Sequence, residues 1–308
     1  MIEVTGLRKS FGDKVVLDGI DLTVEPGTVF ALLGPNGAGK TTTVRILSTL
    51  TAADGGQVRV AGHDPVAEPD AVRAAIGVTG QFSAVDDLLT GRENLHIMGD
   101  LHHLPKTESR RRAAELLDRF DLTEAAGKTA VTYSGGMQRR LDLAMTLMGR
   151  PRILFLDEPT TGLDPRSRRG VWQIIRQLVA DGVTVFLTTQ YLEEADQLAG
   201  RIAVLDHGRL VAEGTPERLK RLVPGGHVRL RFAGSAALDA AALLLTDAAP
   251  DEDALALRVP SDGSVAALRD LLARLDQAGV AVEELSVHTP DLDDVFLSLT
   301  EGSAKETV

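Results

Sequence analysis

No cysteine occurs in the 308 residues, and aromatic side chains are scarce at 4%, with one Trp and two Tyr. Without cysteine there is no disulfide framework and no thiolate metal site, which fits a reducing interior. Also missing is any uncharged apolar run near the roughly 20 residues that span a bilayer. Clusters such as Ile153–Leu156 and Val183–Leu187 read instead as short buried strands. The N-terminus, Met1-Ile2-Glu3-Val4, lacks the basic-then-apolar layout of a signal peptide. Positive charge is in deficit: 33 Lys and Arg against 44 Asp and Glu leave a net −11. That balance argues against a general nucleic-acid binder, whose affinity rests on cations neutralising phosphates. Such a chain forms no membrane channel alone, so any work at a membrane runs through partners.

What is present is a globular profile, 44% hydrophobic and 25% charged, over a length suited to about two domains. Residues 1–30 read as short β segments, Ile2–Val4, Val15–Leu17 and Leu22–Val24, with turns at Gly12-Asp13-Lys14 and Pro26-Gly27. An apolar strand, Thr28–Leu33, runs into a glycine-rich loop, and a helix follows over Thr41–Leu50. Val58–Val60 and Ile76–Thr79 look like further strands. Between Asp86 and Lys128 apolar residues recur at helical spacing, which predicts a helical insertion, either a solvated lobe or a docking surface. Helix–strand alternation then resumes: Met137–Met148, Ile153–Leu156, Arg166–Ala180, Val183–Thr188, Tyr191–Leu198, Ile202–Leu205 and Arg209–Ala212. The alternation favours an α/β domain with a largely parallel sheet. Pro224-Gly225-Gly226 reads as a linker, and beyond it the pattern is a small βαβαβα unit whose last strand is Val280–His288.

Two segments have the composition of phosphate sites. Gly34-Pro35-Asn36-Gly37-Ala38-Gly39-Lys40-Thr41-Thr42 matches G-x-x-x-x-G-K-T between a strand and a helix. Its glycines let backbone N–H groups curl round phosphate oxygens, Lys40 should reach the β and γ phosphates, and the Thr41 hydroxyl should bind magnesium. The second segment, Tyr133-Ser134-Gly135-Gly136-Met137-Gln138, also opens a helix-like run. A lone nucleotide domain needs only the first, so the pair suggests ATP held by two half-sites on two chains. Ile153-Leu154-Phe155-Leu156-Asp157-Glu158 supplies a buried strand ending in two carboxylates. Asp157 can hold magnesium through water, and Glu158 can polarise a water aimed at the γ phosphate.

The order of these motifs, with Pro159-Thr160 and Gly162-Leu163-Asp164-Pro165 behind them, resembles the ATP-binding cassette (ABC) ATPases from Met1 to about Pro224. The fold this implies is a P-loop NTPase core with an N-terminal antiparallel β region and a helical subdomain, plus a small C-terminal α+β domain. The expected division is 1–223 for the nucleotide-binding domain, with the helical subdomain at about 84–150, and 227–308 for an accessory domain. The resemblance implies that Phe11 stacks on adenine, the alternative being a core aromatic. It implies that Gln81 touches magnesium and relays nucleotide state, the alternative being a loop amide. Ser134, Gly135 and Gly136 would contact the γ phosphate of an ATP on the opposite subunit, the alternative being a plain helix cap, and Asp164 would line the dimer seam.

Two positions depart from the family pattern. The signature carries Tyr133 and Met137 where Leu and Gln are usual, with its Ser and two Gly intact. Gln190 stands where the family places His, and an amide can position a phosphate but cannot carry a proton. Glu158 is therefore expected to be the main catalytic group, with Lys40 and Gln190 beside it, in slow ATP hydrolysis. Tyr133–Met137, Thr189-Gln190-Tyr191-Leu192 and Pro290-Asp291-Leu292-Asp293-Asp294-Val295-Phe296 are similar to the daunorubicin/doxorubicin-resistance (DrrA-like) ATP-binding subunits. That likeness implies a peripheral subunit at the cytoplasmic face of the membrane, a homodimer driving a separate permease for a small molecule such as a drug. The alternatives are an ATP-dependent drug-binding resistance protein and a soluble cassette ATPase outside transport. In the C-terminal part, His227 and His288 read as isolated structural residues. Asp291, Asp293 and Asp294 suit a helix N-terminus, and Leu292, Val295, Phe296 and Leu299 share a helical face that either packs in the core or meets a partner subunit.

Overall fold

A computed structural model describes residues 1–80, 84–221, 226–251, 253–288 and 291–303. The chain divides into two units, Met1–Pro216 and Glu217–Val308. Gln81, Pro224, Gly225 and Pro290 lie outside the described residues.

The first unit opens with β1 (Ile2–Phe11) and β2 (Lys14–Val24), and β4 (Gly55–Val60) completes an antiparallel sheet in the order β2-β1-β4. The short segments expected at the N-terminus are thus parts of two long strands. Register shifts between Val4 and Leu7 and between Lys9 and Ser10 interrupt the alternation. Bulges of this kind add a residue to one strand and flip the apolar face, so a strictly two-residue period fails across them.

The second sheet begins with β3 (Val29–Leu33), which leads into α1 (Lys40–Leu47). A short helix not anticipated from the pattern, α2 (Pro69–Ala75), precedes β5 (Ile76–Thr79). The helical insertion holds α3 (Gly91–Leu101), α4 (Lys106–Arg119) and α5 (Gly135–Thr146). Alternation then continues through β6 (Ile153–Asp157), α6 (Pro165–Ala180), β7 (Thr184–Thr189), α7 (Leu192–Leu198), β8 (Arg201–Asp206) and β9 (Arg209–Gly214). The sheet order is β5-β6-β7-β3-β8-β9, parallel except for β9 at the edge. Every residue of β3, β6 and β7 is buried, the mark of central parallel strands covered on both faces. Phe30 and Phe186 stack at 5.4 Å in this core, with Phe155 at 5.6 Å from Phe186. Because β3, β6 and β7 are neighbours, their C-terminal ends bring the glycine-rich loop, Asp157 and Thr189 to one rim, where open α/β sheets bind ligands.

After α8 (Pro216–Lys220), the second unit runs β10 (His227–Arg231), α9 (Ser235–Leu244), β11 (Ala249–Asp251), β12 (Ala256–Pro260), α10 (Val265–Gln277), β13 (Glu284–His288) and α11 (Leu292–Ser303). It is an antiparallel sheet ordered β11-β12-β10-β13 rather than a simple βαβαβα unit. The additional strand contains Pro250, which lacks an N–H and is tolerated because β11 is an edge. The last strand is also shorter than expected, beginning at Glu284. His227 and His288 are not isolated: they face each other across β10 and β13 with rings 4.7 Å apart. Asp291 and Asp294 cap α11 reciprocally, each backbone N–H bonded to the other's carboxylate at 3.0 Å. Leu292 and Val295 are buried.

Candidate nucleotide site

The glycine-rich loop follows from close approach. A Cβ on Gly34 would lie 2.3 Å from the Leu205 carbonyl oxygen. Gly39 caps α1 at φ 112°, and a Cβ there would meet Leu17 Cδ2 at 2.6 Å and the Val16 carbonyl at 2.9 Å. Only glycine lets the loop turn this tightly against β2 and β8. α1 adds the positive end of its dipole at the same place.

Lys40 opens α1 and is buried, yet its Nζ has three oxygen neighbours: the carbonyls of Gly34 at 2.8 Å and Pro35 at 3.0 Å, and Glu158 Oε1 at 3.6 Å. Burial lowers its pKa, and the Glu158 and Asp157 carboxylates oppose that fall. Asp157 ends β6, is 4% exposed, and accepts a hydrogen bond from the Thr188 hydroxyl on neighbouring β7. Glu158 follows at φ 49°, a left-handed conformation that a non-glycine residue keeps only when its surroundings fix it. Its N–H donates to the Thr188 carbonyl at 3.1 Å and hydroxyl at 3.2 Å, and the Thr161 hydroxyl donates to Oε2 at 3.3 Å. Thr41 and Thr42 follow Lys40 in the first turn of α1, with Thr41 exposed. Gln190 comes one residue after β7, and the carbonyl of Thr189 before it accepts the Gly34 N–H at 3.3 Å. Lys40, Asp157, Glu158 and Gln190 are thus assembled by three adjacent strands.

Beside the loop, a cavity of about 290 Å³ is lined by Lys14, Val15, Val16, Pro35, Asn36, Gly37, Ala38, Asp206, His207 and Gly208. Phe11, at the far end of β1, is 54% exposed with the Lys9 ammonium 5.2 Å from its ring centre, so it is not a core aromatic.

The second glycine segment divides into two kinds of residue. Tyr133 is buried, its hydroxyl donating to the Ala125 carbonyl at 2.7 Å while its ring end abuts Gly91. Desolvation raises its pKa. Gln138 donates to Asp87 at 3.1 Å and to the Ala130 carbonyl at 3.2 Å. These two side chains fasten the segment to the helical insertion, and the flanking departure Tyr133 has a packing role. Ser134 and Gly135 are exposed at the start of α5, with Ser134 Oγ accepting the Met137 N–H at 3.3 Å. Asp164 caps α6, accepting from the N–H groups of Arg166 at 2.9 Å and Ser167 at 3.0 Å and from the Ser167 hydroxyl at 2.5 Å. Those bonds hold its carboxyl below the ordinary range, the Ser167 hydroxyl most of all.

Three charged residues behind the site were not singled out from the sequence. Glu194 is fully buried and accepts from Thr160 at 2.8 Å and from the Trp172 indole at 3.0 Å. Burial raises its pKa, and hydrogen bonds from Thr189, Thr160 and Trp172 oppose the rise. Arg139 and Asp142, on α5, form a buried pair at 3.0 Å. Burial raises the Asp142 carboxyl and lowers Arg139, against the attraction between them. One signal was legible: Asp142 interrupts the apolar run Leu141, Leu143, Ala144.

Thr41 and Asp157 offer the hard oxygen donors that magnesium takes. Among the described residues no helix is long and apolar enough to cross a membrane.

Comparison with known proteins gives a consistent match. The family model for ABC transporters matches residues 17–161. The daunorubicin resistance ATP-binding protein DrrA3 of Streptomyces coeruleorubidus is 52% identical over 301 residues, covering 97% of this chain and 95% of its own. The daunorubicin/doxorubicin resistance ATP-binding protein DrrA of Streptomyces peucetius is 50% identical, covering 97% of this chain and 92% of its own. A solved ATP-binding cassette, dimeric in a post-hydrolysis state with ADP and Pi, superposes with a TM-score of 0.63 at 27% identity, covering 70% of this chain and 98% of that one.

Proposed function

The chain belongs to the ABC transporter family as an ATP-binding subunit with ATPase activity, and from that premise we propose that it drives drug efflux as a homodimer on a separate permease. One observation carries this: the glycine-rich loop, Asp157 and Glu158 converge on Lys40, while at a second phosphate-grade helix start, that of α5, Ser134 and Gly135 stand exposed. The exposed segment is suited to an ATP bound by another copy. The dimeric relative supports the same arrangement. The resistance proteins match across both units of this chain, which supports a drug or a similar small molecule as cargo. Residues 1–223 act as the nucleotide-binding domain and 227–308 as an accessory domain, and the dimer sits at the cytoplasmic face of the membrane.

In this reading the adenosine moiety occupies the cavity beside the loop, against Phe11. Loop N–H groups and Lys40 hold the β and γ phosphates, and Gln190 positions the γ phosphate. Glu158 takes a proton from water as the water oxygen bonds to the γ phosphorus and the bond to the bridging oxygen breaks. Thr41, Asp157 and Gln81 would hold magnesium, which supplies positive charge to the phosphate oxygens. Ser134 and the backbone of Gly135 and Gly136 from the opposite copy stabilise charge that grows in the transition state.

The test is to express the chain with the membrane proteins of its host and purify it with and without ATP. Recovery of an integral membrane subunit, with ATPase activity stimulated by a transported drug, is expected. Drug binding that needs ATP but no membrane subunit would overturn the transport reading.

A further inference from the structure

Glu158 holds a backbone conformation that it does not keep on its own, so the groups on either side of it decide where its carboxylate stands. On the N-terminal side that group is Thr188, through its carbonyl and hydroxyl. On the C-terminal side Thr161 bonds Glu158 directly, through its N–H to the Glu158 carbonyl and its hydroxyl to Oε2, both at 3.3 Å. Arg139 fixes the intervening backbone, its Nε donating to the Pro159 carbonyl at 2.7 Å. Arg139 belongs to α5, the helix whose start carries Ser134–Gly136. The same guanidinium donates from Nη1 to the Gly80 carbonyl at 3.2 Å and to Asp142 Oδ2 at 3.0 Å. Asp142 in turn accepts the Ala84 N–H at 3.1 Å. One pair, 9% and 2% exposed, therefore touches the residue after Glu158 and both residues that flank positions 81–83. A planar fork can hold these acceptors at once, whereas an ammonium cannot.

We infer that Arg139 and Asp142 are positioning residues that tie the placement of Glu158 to α5, so that one copy's grip on its partner's nucleotide sets the base in its own site. Arg139 lies five residues beyond Ser134, about 7.5 Å along the helix axis. A displacement of the helix start on engaging a phosphate moves the guanidinium, and with it the Pro159 carbonyl and the Gly80 and Ala84 ends. The inference rests on the reading of Glu158 as base and of Ser134–Gly136 as partner-facing.

The experiment uses the full chain with Arg139→Lys, Asp142→Asn and the doubly apolar Arg139→Met/Asp142→Leu. Binding of magnesium with a non-hydrolysable ATP analogue is measured beside steady-state ATPase over a range of ATP concentrations. Analogue affinity is expected within about threefold of the parent, kcat lower by about tenfold or more, and the Hill coefficient for ATP closer to one. A kcat within about twofold of the parent in Arg139→Lys and in the doubly apolar variant overturns the inference. Parallel loss of analogue affinity and kcat in all three variants assigns the pair to fold stability alone and also overturns it. Glu158→Gln separates the two levels. If it leaves turnover intact, the catalytic reading fails; if it abolishes turnover while the other variants do not, only the coupling fails.

Discussion

Adjacent glycines at the start of α5 should respond to the same substitution in opposite ways. A Cβ on Gly136 would stand 2.4 Å from Ser167 Oγ and 2.8 Å from Ser167 Cβ. Ser167 has little freedom to withdraw, because its hydroxyl and its N–H are both bonded to Asp164. The start of α5 must then move away from the start of α6. Overpacking of this kind costs about 1–3 kcal/mol, and a contact with Cβ falls in the upper part of that range. Helix propensity returns about 1 kcal/mol for Gly→Ala, leaving a net loss of about 1–2 kcal/mol. For a domain of this size that lowers Tm by about 2–8 °C. On Gly135 the nearest atom to a Cβ is Leu163 Cδ2 at 3.8 Å, an ordinary contact. Gly135→Ala should therefore keep or slightly raise Tm, yet lower kcat by about 10²–10³ by crowding the approach of the partner's phosphate. Thermal melting and phosphate release on the two variants separate these effects. Adding Ser167→Gly to Gly136→Ala leaves the nearest remaining Ser167 atom, its Cα, at 3.8 Å. The double variant should melt above the sum of the two single losses. Equal Tm losses for both glycine variants, or full ATPase activity in Gly135→Ala, would refute the reasoning.

Three further outcomes follow from the site. Glu158→Gln should reduce kcat by about 10²–10⁴ while ATP still binds, and phosphate release at saturating ATP measures it. Gln190→His should raise kcat by about tenfold and add a limb near pH 6.5 to the pH profile, since imidazole carries a proton and an amide does not; a flat profile would show that this position only places the phosphate. Glu194 binds its proton more tightly in the folded chain than in the unfolded one, because burial raises its pKa. Stability from this group is therefore lost as pH rises from the usual carboxylate range through the raised value. Gln does not titrate, so the Tm difference of Glu194→Gln from the parent should grow more positive between pH 5 and pH 8, and parallel profiles would contradict this.

Much of the site was legible because its chemistry lies in contiguous motifs placed at ends of strongly apolar strands. Ile153–Asp157 and the strand before Gly34 are buried on both faces, and such runs need no partner to be recognised. The N-terminal strands were read as fragments because their register shifts break the alternation that would have joined them. The second unit hid its edge strand because Ala249–Asp251 is three residues long and holds a proline. His227 and His288 meet only through the pairing of β10 with β13, which no local pattern encodes. Arg139, Asp142 and Glu194 escaped for a similar reason. Their partners, Pro159, Ala84 and Thr160, are distant in sequence, and two of those contacts are backbone groups with no side-chain signature.

Trp172 is the only tryptophan in the chain, and its indole N–H is bonded to Glu194, the carboxylate that also holds Thr160. Thr160 lies two residues past Glu158. The protein thus carries an intrinsic fluorophore joined through Glu194 to the segment that follows the proposed catalytic Glu158, with no second indole to dilute the emission. Under the proposed reading of the site, its emission in the unlabelled protein is expected to follow rearrangement around the γ phosphate during turnover.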